Sequence, residues 1–473
     1  MVLNRSVSEQ RLLVRGGTVV SMDPAIGILP QGDVLIAGDI IVEVAPRIAA
    51  GDAEVSDARH AIVSPGFVDT HRHVWQTQLR TSATDWSLFD YFCRMRSIFG
   101  SFYSPEDAYL GNYVGALEAL HAGITTLVDH SHIMNSPEHA DEAVRGLRES
   151  GIRGTFCYGL YPNPDYGSGA QFSLDTGFRL ADARRVRARH FASDDGLLSF
   201  GLAPTEITAT PYRVTCGEIA LGRELGARHI SCHVAMGAYD GGARLVARLG
   251  RDRVLGPDLV LVHGAALTDE ELGMIADAGA AISSTPETEL QMAMGHPVAV
   301  RAGEKGALAS LGIDIVSNYS GDMFAQMRLL LQAQRGLENG RLSAPPRRIR
   351  YRAEEVLRLA TLGGARALGM DGRIGSLTPG KRADVVVTRC DAINLVPVHD
   401  PVGALVMNAD TFNVDTVLVN GRPVKRDGQL VGVDWPALAA RLRRSAERIV
   451  TQARAIPVTA VEELAAPLML REG

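Results

Sequence analysis

The chain has 473 residues and a formal net charge of -6, with 46% hydrophobic and 22% charged residues. This is the composition of an ordinary soluble globular protein, long enough for one large domain and a smaller one. It gives no basis for a nucleic-acid or anionic-membrane partner, no run of about 18 apolar residues marks a membrane span, and the polar first ten residues lack the apolar core of a signal peptide.

The five cysteines, Cys93, Cys157, Cys216, Cys232 and Cys390, form no CxxC pair, which fits a reducing, cytoplasmic setting. Residues 11–64 read as short strands: Leu12-Leu13-Val14, Thr18-Val19-Val20, the run 33–36 and Ile40-Ile41-Val42, broken by Gly and Asp turns. From Pro65 the pattern changes. A helix over 107–121 precedes a strand over 124–128, and further strands are expected near 199–202, 229–234, 259–263, 281–284 and 313–317, with helices such as 268–278 between them. Such β-α alternation over roughly 300 residues predicts a parallel sheet or barrel. Strand patterns return at 382–387 and 414–419, the second followed by the hairpin signal Asn420-Gly421. An amphipathic helix over 435–455 follows. The two β segments flank the α/β region and are expected to combine into one discontinuous domain.

The chemistry begins at Asp69-Thr70-His71-Arg72-His73. On a strand, residues i and i+2 share a side, so His71 and His73 can grip one ion. An HxH pair alone carries little weight. Here His233 and His263 each end an apolar strand, and Asp314 sits inside Leu311-Gly312-Ile313-Asp314-Ile315-Val316. A buried Asp needs a cation or several hydrogen bonds. Five such residues at or near the ends of four strands argue for one shared site.

These residues lie in motifs that resemble the cytosine-deaminase and chlorohydrolase branch of the amidohydrolase superfamily. The motifs are 65–73 (PGFVDTHRH), 121–126 (HAGITT), His233-Val234-Ala235, Val262-His263, 311–314 (LGID) and 375–384 (GSLTPGKRAD). The resemblance covers about residues 12–431. It implies a (β/α)₈ TIM barrel over 65–374, a small β-sandwich domain from 11–64 and 375–431, and a C-terminal helix and tail over 432–473. It also implies His71, His73, His233 and Asp314 as ligands of one divalent metal, Zn²⁺ or Fe²⁺, and His263 and Asp314 as catalytic residues. No Lys stands where binuclear relatives carry a carboxylated lysine. Homo-oligomers, dimers or larger, are a further implication.

One position departs from the pattern. Deaminases of this branch carry Glu three residues after the third histidine, where this chain has Met236. Met cannot move a proton. Glu289, in Thr285-Pro286-Glu287-Thr288-Glu289, is the expected replacement acid, ahead of Glu287. Gln76 completes an HxHxxQ pattern that resembles guanine deaminases, while Pro204-Thr205-Glu206 stands where those enzymes carry Arg-Phe-Ser, which argues against guanine. Gln76, Trp75, Trp86 and Glu206 are the expected substrate-binding residues. His130, His132 and His296 have no assigned role. The expected activity is hydrolysis of a C–N bond in a small nitrogen heterocycle, most simply deamination. Met236 leaves open hydrolysis of a cyclic amide or loss of another leaving group. A catalytically silent metal-binding homologue is the third reading.

Overall fold

The computed structural model describes residues 11–166, 176–193, 196–205 and 210–470. In chain order, β1 (Arg11–Val20), β2 (Ile28–Ala37), β3 (Ile40–Ala45), β4 (Glu54–Asp57) and β5 (Ala61–Pro65) come first. Eight strands then alternate with helices: β6 (Phe67–Arg72), β7 (Ile124–Ser131), β8 (Arg153–Gly159), β9 (Leu198–Ala203), β10 (Ile230–Val234), β11 (Leu259–His263), β12 (Ala281–Ser284) and β13 (Leu308–Leu311). The last are β14 (Val385–Arg389), β15 (Val414–Val419), β16 (Arg422–Arg426) and β17 (Gln429–Leu430). By internal contacts the chain forms two compact units, one of residues 1–69, 118–126 and 322–432, the other of 70–117, 127–321 and 433–473.

In the first unit, nine strands make one mixed sheet in the order β17-β16-β15-β14-β5-β1-β2-β3, with β4 on β1. The N- and C-terminal strands meet where β5 runs antiparallel to β14, Val63 opposite Val387. Alternation along the strands separates two apolar faces. Val14, Val34, Ile36, Val63, Val385 and Leu418 pack in one cluster, and Leu13, Leu35 and Ile48 in another. Asn420 and Gly421, both at positive φ, make the two-residue turn between β15 and β16.

The second sheet is the barrel, in the unbroken order β13 to β6. Its strands pair in parallel, as in β8 with β9 and β10 with β11. Beyond β13 the chain bridges back to β6: Asp314 pairs with Arg72, its N–H reaching the His71 carbonyl at 2.9 Å and its carbonyl accepting from His73 N–H at 2.7 Å. The result is a (β/α)₈ barrel with continuously buried strands.

Three expectations need correction. The strand β8, RGTFCYG, has no expected counterpart; two glycines and an arginine hide its apolar pattern, although every residue is buried. The strand expected over 313–317 lies earlier, at Leu308–Leu311, because Asp314 turns to a φ of 72° at the strand's C-terminal end. The single C-terminal helix is two, Trp435–Ala453 and Val458–Met469. These pack within the second unit through Cys93, Ile98, Ala453, Val461 and Ala465. Ser445 Oγ donates to Asp107 Oδ1 at 2.6 Å and Gln78 Nε2 donates to Ser445 Oγ at 3.2 Å, tying the C-terminal helix to the segment after β6. Among the described residues no helix is long and apolar enough to cross a membrane.

That segment, a 3₁₀ turn over Val74–Leu79, lies against the helix Pro105–His121. At Gly111 an added Cβ would press into the Trp75 backbone on every near side. Gly111→Ala should therefore destabilise the protein by about 1–3 kcal/mol through overpacking. Thermal denaturation checks this, and an unchanged Tm would refute the close approach.

Candidate active site

The barrel strands carry their polar residues at their C-terminal ends. His71 lies near the end of β6 and His73 one residue past it, two apart and so on one side. His233 lies near the end of β10 and His263 closes β11, in register with Val234. Asp314 follows β13. The cluster is buried: His71 is fully inaccessible and Asp314 is 4% exposed.

The separations are short. His71 Nε2 and His73 Nε2 each lie 3.3 Å from Asp314 Oδ1, and His233 Nε2 lies 3.3 Å from His71 Nε2. Two nitrogens bound about 2.0–2.1 Å from one tetrahedral ion stand about 3.3 Å apart. The donor atoms therefore already have the edge length of a metal's coordination shell. Within His71, His73 and Asp314, and again within His71, His233 and His263, one ligand atom per residue comes within 4.8 Å of the others. The tautomer fits as well. His73 Nδ1 bonds the His130 carbonyl at 2.8 Å; a carbonyl only accepts, so Nδ1 carries the proton and Nε2 presents its lone pair.

Burial decides the charge states. It pulls His71 down to about 4, against the opposing pull of Asp314, and drives His73, His130 and His132 well below the usual imidazole range. Burial raises the Asp314 carboxyl, but the His71 hydrogen bond and the neighbouring imidazoles outweigh it and hold the group ionised. His71 and His73 are thus neutral imidazoles beside one carboxylate, a donor set suited to a divalent cation.

A ring of polar residues holds the ligands. Asp129, pushed up to about 7 by burial, accepts from Val74 N–H at 3.2 Å and from Asn112 Nδ2 at 2.8 Å, fixing the backbone just beyond His73. His130 stacks on His233 with ring centres 4.4 Å apart and shares a hydrogen bond with Ser231 Oγ at 3.0 Å. His132 stacks on His73 at 4.0 Å and accepts from Trp75 Nε1 at 3.0 Å. The second HxH pair, His130 and His132, therefore packs directly on the first.

The other expected residues are distributed differently. Trp75 is fully buried, its indole N–H held by His132 and its ring edge-on to Tyr103. Gln76 is fully buried, with Nε2 donating to Tyr91 Oη at 2.5 Å and Oε1 accepting from Ser317 Oγ at 2.8 Å, so both ends of its amide are engaged inside the protein. Trp86 is half-buried, stacked on Phe99 at 6.4 Å with the Arg94 guanidinium 5.7 Å from its ring. Glu206 lies outside the described residues. Met236 is half-buried just beyond β10, and Glu287 and His296 are also half-buried. Glu289 is fully buried on the short helix Pro286–Gln291, its Oε1 3.6 Å from His263 Nδ1. Sequence reasoning missed Thr285, Tyr91, Ser317 and Asn112. Tyr91, Ser317 and Asn112 act on residues of other elements, and Thr285 joins its neighbour Glu289 to His263 on another strand, a link that local spacing does not show.

A parallel barrel with imidazoles and a carboxylate at its C-terminal end is the frame of a metal-assisted hydrolase. The chain belongs to the amidohydrolase family, whose model matches residues 62–424 and whose members typically bind a divalent metal. It is a hydrolase acting on carbon–nitrogen bonds. A 5-methylthioadenosine/S-adenosylhomocysteine deaminase of Syntrophobacter fumaroxidans is 29% identical over 457 residues, covering 93% of this chain and 99% of the relative. The structure of a zinc-bound adenosine deaminase from Xanthomonas campestris matches with a TM-score of 0.81 and 26% identity, over 94% of this chain and 99% of that one. An atrazine chlorohydrolase from Arthrobacter aurescens shares the fold, with a TM-score of 0.80 at 22% identity, over 92% of this chain and 100% of that one.

The metal-free protein should lose stability as the pH falls from about 6.5 to about 4. Unfolded, His71 takes its proton near 6.5; folded, only near 4. In that window the unfolded state binds more protons, so acid favours it. Denaturant titrations across this range, after chelation, check the sign. A midpoint that holds or rises toward pH 4 would contradict it.

Proposed function

We propose that His71, His73, His233 and Asp314 hold one divalent ion, Zn²⁺ or Fe²⁺, and that the chain uses it to hydrolyse a C–N bond of a small nitrogen heterocycle, most simply by deamination. The observation that carries this reading is that, in a buried cluster, His71 Nε2 lies 3.3 Å from both Asp314 Oδ1 and His233 Nε2. Held by these residues, such an ion would supply the Lewis acidity that makes water a ready nucleophile at neutral pH. Asp314 is the group to accept a hydrogen bond from that water and take its proton. His263, adjacent to His233 with ring centres 5.4 Å apart, is the group to orient the attacking water. Aminated purine nucleosides come first in a substrate panel, because relatives matching over nearly the whole chain bear deaminase names of that class.

Met236 favours a second reading. With no titrating side chain at that position, hydrolysis of a cyclic amide, or loss of a group that leaves without a dedicated acid, would suit the site as well. Ammonia release across aminated and oxo heterocycles separates the two. Release from an aminated ring supports deamination, ring opening without ammonia supports the amide reading, and no turnover of any member marks a silent homologue.

The metal assignment has its own check. Purified protein should carry close to one equivalent of Zn or Fe per chain, and His71→Ala or His233→Ala should lose it. Two equivalents, or metal retained in both variants, would end the mononuclear reading.

A further inference from the structure

Glu289 presents a cost that folding alone does not explain. It is fully buried, and its Oε2 makes no hydrogen bond. A buried carboxylate with an unmade bond costs stability. Its other oxygen, Oε1, accepts from Thr285 N–H at 2.8 Å and from the Thr285 hydroxyl at 3.4 Å. That hydroxyl lies 3.0 Å from His263 Nδ1. The direct gap from Oε1 to Nδ1, 3.6 Å, is too long for a hydrogen bond.

The hydroxyl between Glu289 and His263 has one proton, and which neighbour receives it sets the imidazole's tautomer. Oε1 already accepts from the Thr285 N–H and so turns lone pairs toward the Thr285 hydroxyl, which donates its single proton to Glu289. The hydroxyl then faces His263 with a lone pair, and Nδ1 must carry the imidazole proton. Nε2 is left as the nitrogen available to the site, with its lone pair outward. Without the carboxylate the hydroxyl could turn and donate to Nδ1, which would put the proton on Nε2 and reverse the polarity of the ring.

We propose that Glu289 is a positioning residue for His263: acting through the Thr285 hydroxyl, it holds the imidazole in the tautomer whose Nε2 accepts a hydrogen bond from the attacking water. This rests on the hydrolytic reading above. Glu289 then need not touch the substrate; it acts one side chain removed, as the outer partner of a catalytic histidine commonly does.

Thr285→Val keeps the shape and removes the hydroxyl. It should lower kcat by about 10²–10⁴-fold, the usual worth of a positioned proton-handling group, while KM and metal content stay within a few-fold. Thr285→Ser should restore most of the rate. Glu289→Gln added to Thr285→Val should cost little more, because both changes act on one path. Separately, ¹⁵N-histidine NMR of the zinc-loaded protein, or of the protein as purified should it take up no zinc, should show His263 protonated on Nδ1. A near-normal kcat in Thr285→Val, additive losses in the double variant, or a proton on Nε2 would each overturn the proposal. If no heterocycle is turned over, the hydrolytic reading fails, and the NMR result still decides the tautomer.

Discussion

Closing the barrel and assembling the site are one interaction. Asp314 bonds the β6 end through its backbone on both sides, to the His71 carbonyl and from the His73 N–H, while its carboxylate meets the imidazoles of the same two residues at 3.3 Å. A residue in the left-handed region, φ 72°, makes this possible by turning the chain sharply at the end of β13. Such a conformation is uncommon for a non-glycine residue and persists where its surroundings over-determine it. His263, at φ 73°, shares the feature, and both sit at the barrel's C-terminal end. Both left-handed positions thus lie within the buried histidine-aspartate cluster.

The polar surroundings follow from burial. Imidazoles packed face to face at 4.0–4.4 Å cannot all be charged, and burial keeps them neutral with lone pairs to offer. A neutral imidazole has one donor nitrogen and one acceptor, so each ring needs a partner that selects its tautomer. The His130 carbonyl does this for His73 and the Trp75 indole for His132. The tryptophan and glutamine next to the HxH pair therefore serve the interior. Trp75 orients a histidine, and Gln76 joins Tyr91 to Ser317 and so links the segment after β6 to the segment after β13.

Much of this was legible in the sequence. Strand periodicity, βα alternation and histidines ending apolar runs are local signals, because a strand's period of two and a barrel's chain direction set where each side chain emerges. The Asn420-Gly421 turn was legible for the same reason, since positive φ at two consecutive positions selects those residues. The sequence thus determined the barrel, the five residues of the cluster and the anomaly at Met236. Other features depended on partners far along the chain. The strand β8 is made by burial between β7 and β9 rather than by its own pattern. Gln76 and Trp75 looked like pocket residues until Tyr91, Ser317 and His132 arrived from other strands and loops. Glu289 read as an acid, yet its position against Thr285 and His263 sets what it can do. A residue's type announces which bonds it can make; only the folded chain decides which partners come within 3 Å, and in a buried site that choice fixes both tautomer and role.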